Sequence, residues 1–223
     1  MEVDVYLTEN ILKKTFLSQR PRSQSLWPAL YVQAIIVVIT VIEWGNLLDL
    51  GSLLTASHHQ IFDLHEYWRL FTTLGVHHDT GHLVGNALFF IPFAWFLNSY
   101  FGFFVFPILS LCAGALINYI VLAFYPADVS LLGASGIVYF MIAFWLALYI
   151  GIERRHSPLQ RVLRSLGLVL AELAPQAFDP QISYGSHAVG FGLGLIAGLF
   201  YFFFHRGLYR QAEIWAEEEI FEH

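Results

Sequence analysis

Polar and apolar positions along this chain fall into long blocks, not the short alternations of a soluble domain. One apolar block runs from about Ala29 to Leu48, close to the ~20 residues that carry a helix across a bilayer. From His82 to Phe124, 43 residues pass without one Asp, Glu, Lys or Arg. At ~1.5 Å per residue that is ~65 Å of helix, enough for two crossings and too much for one. The polar stretch Asn98-Ser99-Tyr100-Phe101-Gly102 is the natural break. Spans are therefore predicted at 82–100 and 103–124, with Pro92 and Pro107 as kink points. Further blocks predict spans at 135–152, 159–177 and 187–205; the segment 159–177 has the shortest uninterrupted apolar core and contains Glu172.

The connections carry their own pattern. Residues 1–27 mix Lys13, Lys14, Arg20 and Arg22 with acids and a proline, which reads as a cytoplasmic segment with a short interfacial helix around Val3–Leu17 or as a partly ordered tail. Residues 49–81 contain scattered charges, histidines and the aromatics Phe62, Tyr67, Trp68 and Phe71. Such a segment suits an ordered loop lying in the membrane interface, where Trp and Tyr are favoured. Loops are expected at 125–134 and 178–186, and a strongly acidic solvated tail at 206–223.

Composition agrees. The 223 residues are 57% hydrophobic and 13% charged, against roughly 25% charged in soluble domains. No basic stripe is present to bind nucleic acid. The single cysteine, Cys112, rules out an intrachain disulfide and a cysteine-based zinc site. The polar first 27 residues do not resemble a cleavable signal peptide. With the N-terminus inside, ten of the eleven Lys and Arg residues fall on cytoplasmic segments and only Arg69 lies outside, a strong positive-inside bias. The expected fold is an all-α polytopic membrane protein, a six transmembrane helix bundle with N- and C-termini cytoplasmic. Its parts are an N-terminal segment 1–27, a membrane domain 28–205 and the acidic tail 206–223.

This topology puts polar residues of three spans at one depth. Ser135 opens the fourth span within Gly133-Ala134-Ser135-Gly136, His187 opens the sixth, and His82 opens the second with Asn86 four residues on, on the same helix face. Each has a plain structural reading taken singly, but ionisable groups inside a membrane are costly and point to function. Ser135 as nucleophile and His187 as its base make an activated pair. The Ser135 backbone N–H, His82 and Asn86 are candidate oxyanion donors. Tyr139 lies one turn along from Ser135, placed to pack on the His187 ring. Gly190, Gly194 and Gly198 repeat every four residues, a small-residue stripe that lets two helices approach closely.

These pieces resemble the rhomboid family of intramembrane serine proteases over about residues 29–205. The matching motifs are Trp68-Arg69, HLVGN at 82–86, GASGIVY at 133–139 and HAVGFGLG at 187–194. The resemblance implies a six-helix rhomboid-like bundle in the cell (inner) membrane, with the active site facing the external side. It also implies a Ser135–His187 dyad, oxyanion support from His82 and Asn86, and a loop anchored by Trp68 and Arg69. The substrates would be transmembrane proteins cleaved near the outer ends of their membrane segments, with no metal or cofactor. Two positions depart from the family pattern. Ala94-Trp95-Phe96-Leu97-Asn98 stands where many members have a Gly-rich patch ending in Glu, and Ser186 stands where a small apolar residue is usual. Two rival readings are a catalytically inactive rhomboid-like binding protein or chaperone, and a metal site built from His58, His59, His65, His77, His78, His82 and Asp79. Asp128 or Asp179 could orient His187 as a third member, but nothing in their spacing favours that role and the dyad is expected without one.

Overall fold

The computed structural model describes residues 7–127, 129–173 and 183–220. The long helices lie close to the predicted spans: α1 (Leu26–Trp44), α3 (Thr80–Phe101), α4 (Ser110–Leu122), α5 (Ser135–Ile152) and α7 (Tyr184–Gln211), with the short α2 (Arg69–Thr72) in the connection between α1 and α3. Among the described residues five helices are long and apolar enough to cross a membrane, α1 counted from Ser23 and α4 from Phe104. In α1 the buried positions Ala29, Gln33, Ile36 and Thr40 form one narrow stripe, while Ile35, Val38 and Val41 face outward. That is the pattern of a helix with lipid on most of its circumference.

The break between α3 and α4 falls where expected, at Gly102, whose φ of +86° suits a residue without Cβ. Asn98 bridges this turn by donating its side-chain amide to the Phe106 carbonyl at 2.8 Å. The helix continues through Pro92, whereas the start of the next span is irregular, with Phe106 extended just before Pro107.

α5 is the centre of the bundle: 78% of it is buried, against 28% of the first span. Its main partner is α7. Gly190 meets the Gly136 carbonyl, Gly194 meets Phe140 and Ala143, and Gly198 meets Phe144 and Ala147. Both sets ascend together, so the two helices run parallel. A parallel neighbour requires the chain between Ile152 and Tyr184 to return the length of α5, about 27 Å. The segment α6 (Pro158–Leu173) lies on that return. α6 is strongly amphipathic, with Leu159, Val162, Leu163, Leu166 and Leu170 exposed and Ser165 buried. Arg161 donates to the Ile150 carbonyl at the end of α5. The remainder of the predicted span, 174–177, lies outside the described residues.

Two small antiparallel pairs correct the all-α expectation. β2 (Ala56–Ser57) pairs with β3 (Ser130–Leu131) at one end of the bundle. At the opposite end β1 (Leu7–Lys14) pairs with β4 (Ile214–Ile220), where an interfacial helix and a solvated tail are expected. The reason is non-local: β1 gains its ladder from a strand some two hundred residues away, and its own apolar spacing does not reveal that partner. The expected tail is instead the last turns of α7 followed by β4. Lys13 and Glu218 form an ion pair across the two strands.

The same end is tied together further. Thr15 donates to Glu153 at 3.1 Å, and Arg155 grips the Glu153 carboxylate through two bonds of 2.6 and 2.9 Å. Burial alone would push that carboxyl up, but the Arg155 and Thr15 bonds outweigh it and hold it below its ordinary value. Arg154 and Arg210 both reach Glu213.

Candidate active site

One end of the bundle gathers the starts of α3, α5 and α7 with the connection that precedes α3. Asp79 caps α3, its Oδ1 accepting the His82 N–H at 2.8 Å, which fixes where the helix begins. That backbone bond is the main cause holding the Asp79 carboxyl below its ordinary range. His82 then projects from the first turn against Gly133, where an added Cβ would stand 2.9 Å from the imidazole. Gly133 also holds φ at +104°. Both the space and the backbone conformation therefore call for glycine. Asn86 is buried; its Nδ2 donates to the His82 carbonyl at 2.9 Å, leaving the second amide N–H for a ligand.

Ser135 is the first residue of α5 and is 7% exposed. The loop that delivers it is bound to the connection between α1 and α3 at successive points. β3 pairs with β2, Thr73 Oγ1 donates to the Leu131 carbonyl, and the Gly133 N–H donates to the Thr73 carbonyl at 3.1 Å. The Ala134 N–H points to His77 Nε2 at 3.4 Å. With those donors engaged, the next N–H groups along the chain belong to Ser135 and Gly136 at the head of α5. First-turn N–H groups have no intrahelical acceptors and lie at the positive end of the helix dipole.

His187 sits in the first turn of α7, 5% exposed. Its ring stacks on Tyr139 with centroids 4.1 Å apart and planes at 16°, and Tyr184 meets it edge-on at 6.3 Å. Neither ring nitrogen has a hydrogen-bond partner among the described residues. Stacking holds this imidazole, and both nitrogens remain available for proton transfer. Because Gly190 lies directly against the Gly136 backbone, His187 and Ser135 occupy the same end of the same close helix pair. Asp128 and Asp179 lie outside the described residues.

The two departures have local accounts. Ser186 returns its hydroxyl to the Ser183 carbonyl at 2.9 Å, so its polarity is satisfied where it packs near Gly136. Asn98 supplies the bridge to Phe106 already described. In the connection between α1 and α3 Arg69 is buried and holds Glu66 at 2.5 Å and the carbonyls of Ser52 and Thr55 at 2.8 and 3.0 Å. Trp68 stays half exposed beside the guanidinium, 5.8 Å from its ring centroid.

His58, His59 and His65 turn to separate partners. His58 bonds the Leu122 carbonyl, His59 bonds Asp63 and His65 bonds Tyr67. Among the described residues no three His, Cys, Asp or Glu side chains gather into a metal-binding group. The sequence reading missed the parts played by Thr73 and His77, which hold the Ser135 loop, and by Asp79. For Asp79 the available signal was an aspartate three residues before His82, the spacing of a helix cap.

The fold and site thus define a multi-pass integral membrane protein with a serine, two histidines and an asparagine at one end of its bundle. The sequence model described as Rhomboid domain matches residues 64–204, more than half of the chain, and the chain belongs to the rhomboid family. Members of that family are generally serine intramembrane proteases. No curated protein matches the chain.

Proposed function

We propose that this chain is an intramembrane serine endopeptidase that cleaves transmembrane proteins near the outer ends of their membrane segments. The observation that carries the reading is the parallel contact of α5 and α7, with Ser135 and His187 at the same end and Tyr139 stacked on His187. In the proposed reaction His187 accepts the Ser135 hydroxyl proton as Oγ attacks a peptide carbonyl. The Ser135 N–H at the head of α5, with His82 and Asn86, stabilises the developing oxyanion. As the tetrahedral intermediate collapses, the imidazolium donates its proton to the leaving amine. The resulting ester is hydrolysed by a water that His187 deprotonates in turn. No acidic third member is invoked, since stacking already orients the ring.

The proposed topology has six crossings, both termini cytoplasmic and the site open to the external side of the cell membrane. Two observations support it. The β1–β4 pair joins segments from both ends of the chain, which an odd number of crossings would separate by a bilayer. Because α5 and α7 run parallel, the chain between them must return the length of α5, which supports a sixth crossing.

Reconstituted protein with a fluorogenic transmembrane substrate tests the function. Wild type should cleave and Ser135→Ala should not; equal cleavage by the two sinks the protease reading. Absence of cleavage by wild type across a panel of membrane substrates would favour a rhomboid-like binding protein or chaperone.

A further inference from the structure

His77 is fully buried next to the Ser135 loop, and the dyad mechanism gives it no task. Its surroundings define its protonation atom by atom. Thr40 of α1 donates its hydroxyl to the Gly75 carbonyl at 2.5 Å, so that hydroxyl has only lone pairs left for His77 Nδ1, 3.2 Å away. The second neighbour of Nδ1 is the Gly75 carbonyl itself at 3.4 Å, again an acceptor. Nδ1 must therefore carry the proton. On the far side of the ring the Ala134 N–H is directed at Nε2, which requires a lone pair there. Both edges demand the same neutral tautomer. The backbone of His77 is fixed as well, by Trp44 Nε1 donating to its carbonyl at 2.6 Å. The ring meets His82 edge-to-face at 5.1 Å.

We propose that His77 is a positioning residue for the nucleophile. A chain from Gly75 through Thr40 and the imidazole to Ala134 fixes the peptide just before Ser135, and with it the direction of the Ser135 N–H toward the oxyanion. The inference rests on the serine-protease reading above. It assigns no proton transfer to His77, whose neutral form is retained because burial, then the neighbouring His82, lower its pKa from 6.5 to about 4.

The test compares His77→Ala, His77→Gln and Thr40→Val in vesicles carrying a transmembrane substrate, with melting followed in parallel. Gln places a neutral carbonyl oxygen near the position of Nε2 and can still accept the Ala134 N–H. His77→Ala should lower kcat about tenfold while KM stays within about twofold, the scale of one misdirected hydrogen bond in a transition state. His77→Gln should recover most of that loss. Thr40→Val should lower kcat in the same sense, and the double variant with His77→Ala should be no slower than His77→Ala alone, because both cut one chain.

An undiminished kcat in His77→Ala overturns the inference, and so does a His77→Gln as slow as His77→Ala when both melt like wild type. If His77→Ala fails to fold, His77→Gln decides: near-wild-type kcat sustains the inference, and a low kcat with unchanged KM and melting removes it. Ser135→Ala in the same vesicles separates this question from the parent reading. Cleavage by Ser135→Ala removes the protease, whereas an inactive Ser135→Ala beside an undiminished His77→Ala removes only the positioning role.

Discussion

Replacing Gly190 by alanine should force α5 and α7 apart at the level of His187. A Cβ there falls on the Gly136 carbonyl oxygen, well inside the 3.0 Å below which real Cβ atoms essentially never approach. The obstacle is backbone, so no side-chain rotation can relieve it, and the helices must separate by roughly an ångström to restore van der Waals contact. Overpacking of this kind costs about 1–3 kcal/mol, offset in part by the ~1 kcal/mol by which alanine exceeds glycine in a helix. The effect on rate should be larger than the effect on stability. Misplacing a reacting group by ~1 Å can cost about 10²-fold, and Gly190 is one turn from His187. Gly194→Ala meets the Phe140 carbonyl equally closely but one turn further from the chemistry, so it should melt like Gly190→Ala and retain more activity. Gly192 has no neighbour within 4 Å of its added Cβ; Gly192→Ala should match wild type in both respects. Cleavage rates and melting temperatures of the three variants in one detergent provide the assay. A Gly190→Ala as stable and as active as Gly192→Ala would refute the close-contact account of the dyad.

Three further outcomes are expected. The pKa of His77, lowered from 6.5 to about 4 by burial and then His82, with the Gly75 carbonyl and then Asp79 opposing, means that between those values the unfolded chain binds the extra proton. Stability should therefore fall as pH drops through that window, by up to about 3 kcal/mol, and comparing acid melts of wild type with His77→Gln isolates this contribution. Cysteines placed at Ile11 and Ala216, directly opposed in the β1–β4 pair, with Cys112 removed, should form a disulfide, since antiparallel partners lie within its Cα range. No cross-link in a folded variant would contradict termini on one side of the membrane. Arg69→Ala should destabilise by about 3–5 kcal/mol in thermal or denaturant unfolding, because it strands a partly buried Glu66 and two carbonyls; Arg69→Lys should recover little, lacking the guanidinium fork.

The long helices were legible because a bilayer imposes length and apolarity on each segment locally, so α3 and α5 end within two residues of the expected bounds. The glycine stripe was legible for the same reason: the four-residue spacing of Gly190, Gly194 and Gly198 requires only helical geometry to line one face. Where a residue's partner is remote, the pattern failed. The acceptor role of His77 depends on Thr40, 37 residues before it, and Ala134, 57 residues after it, and nothing in the local sequence distinguishes it from His78. β1 likewise reads as an amphipathic stretch until β4 is beside it. α6 is the intermediate case, since its alternation of arginines and leucines fits a helix with one apolar face as well as a short crossing.

The most direct test of the central claim is covalent labelling of the membrane-embedded protein with a fluorophosphonate, followed by peptide mapping. The proposed mechanism predicts a single phosphonylated residue, Ser135, with labelling abolished in Ser135→Ala and strongly reduced in His187→Ala. Labelling that persists in Ser135→Ala, or that is unaffected by His187→Ala, would contradict a serine activated by that histidine.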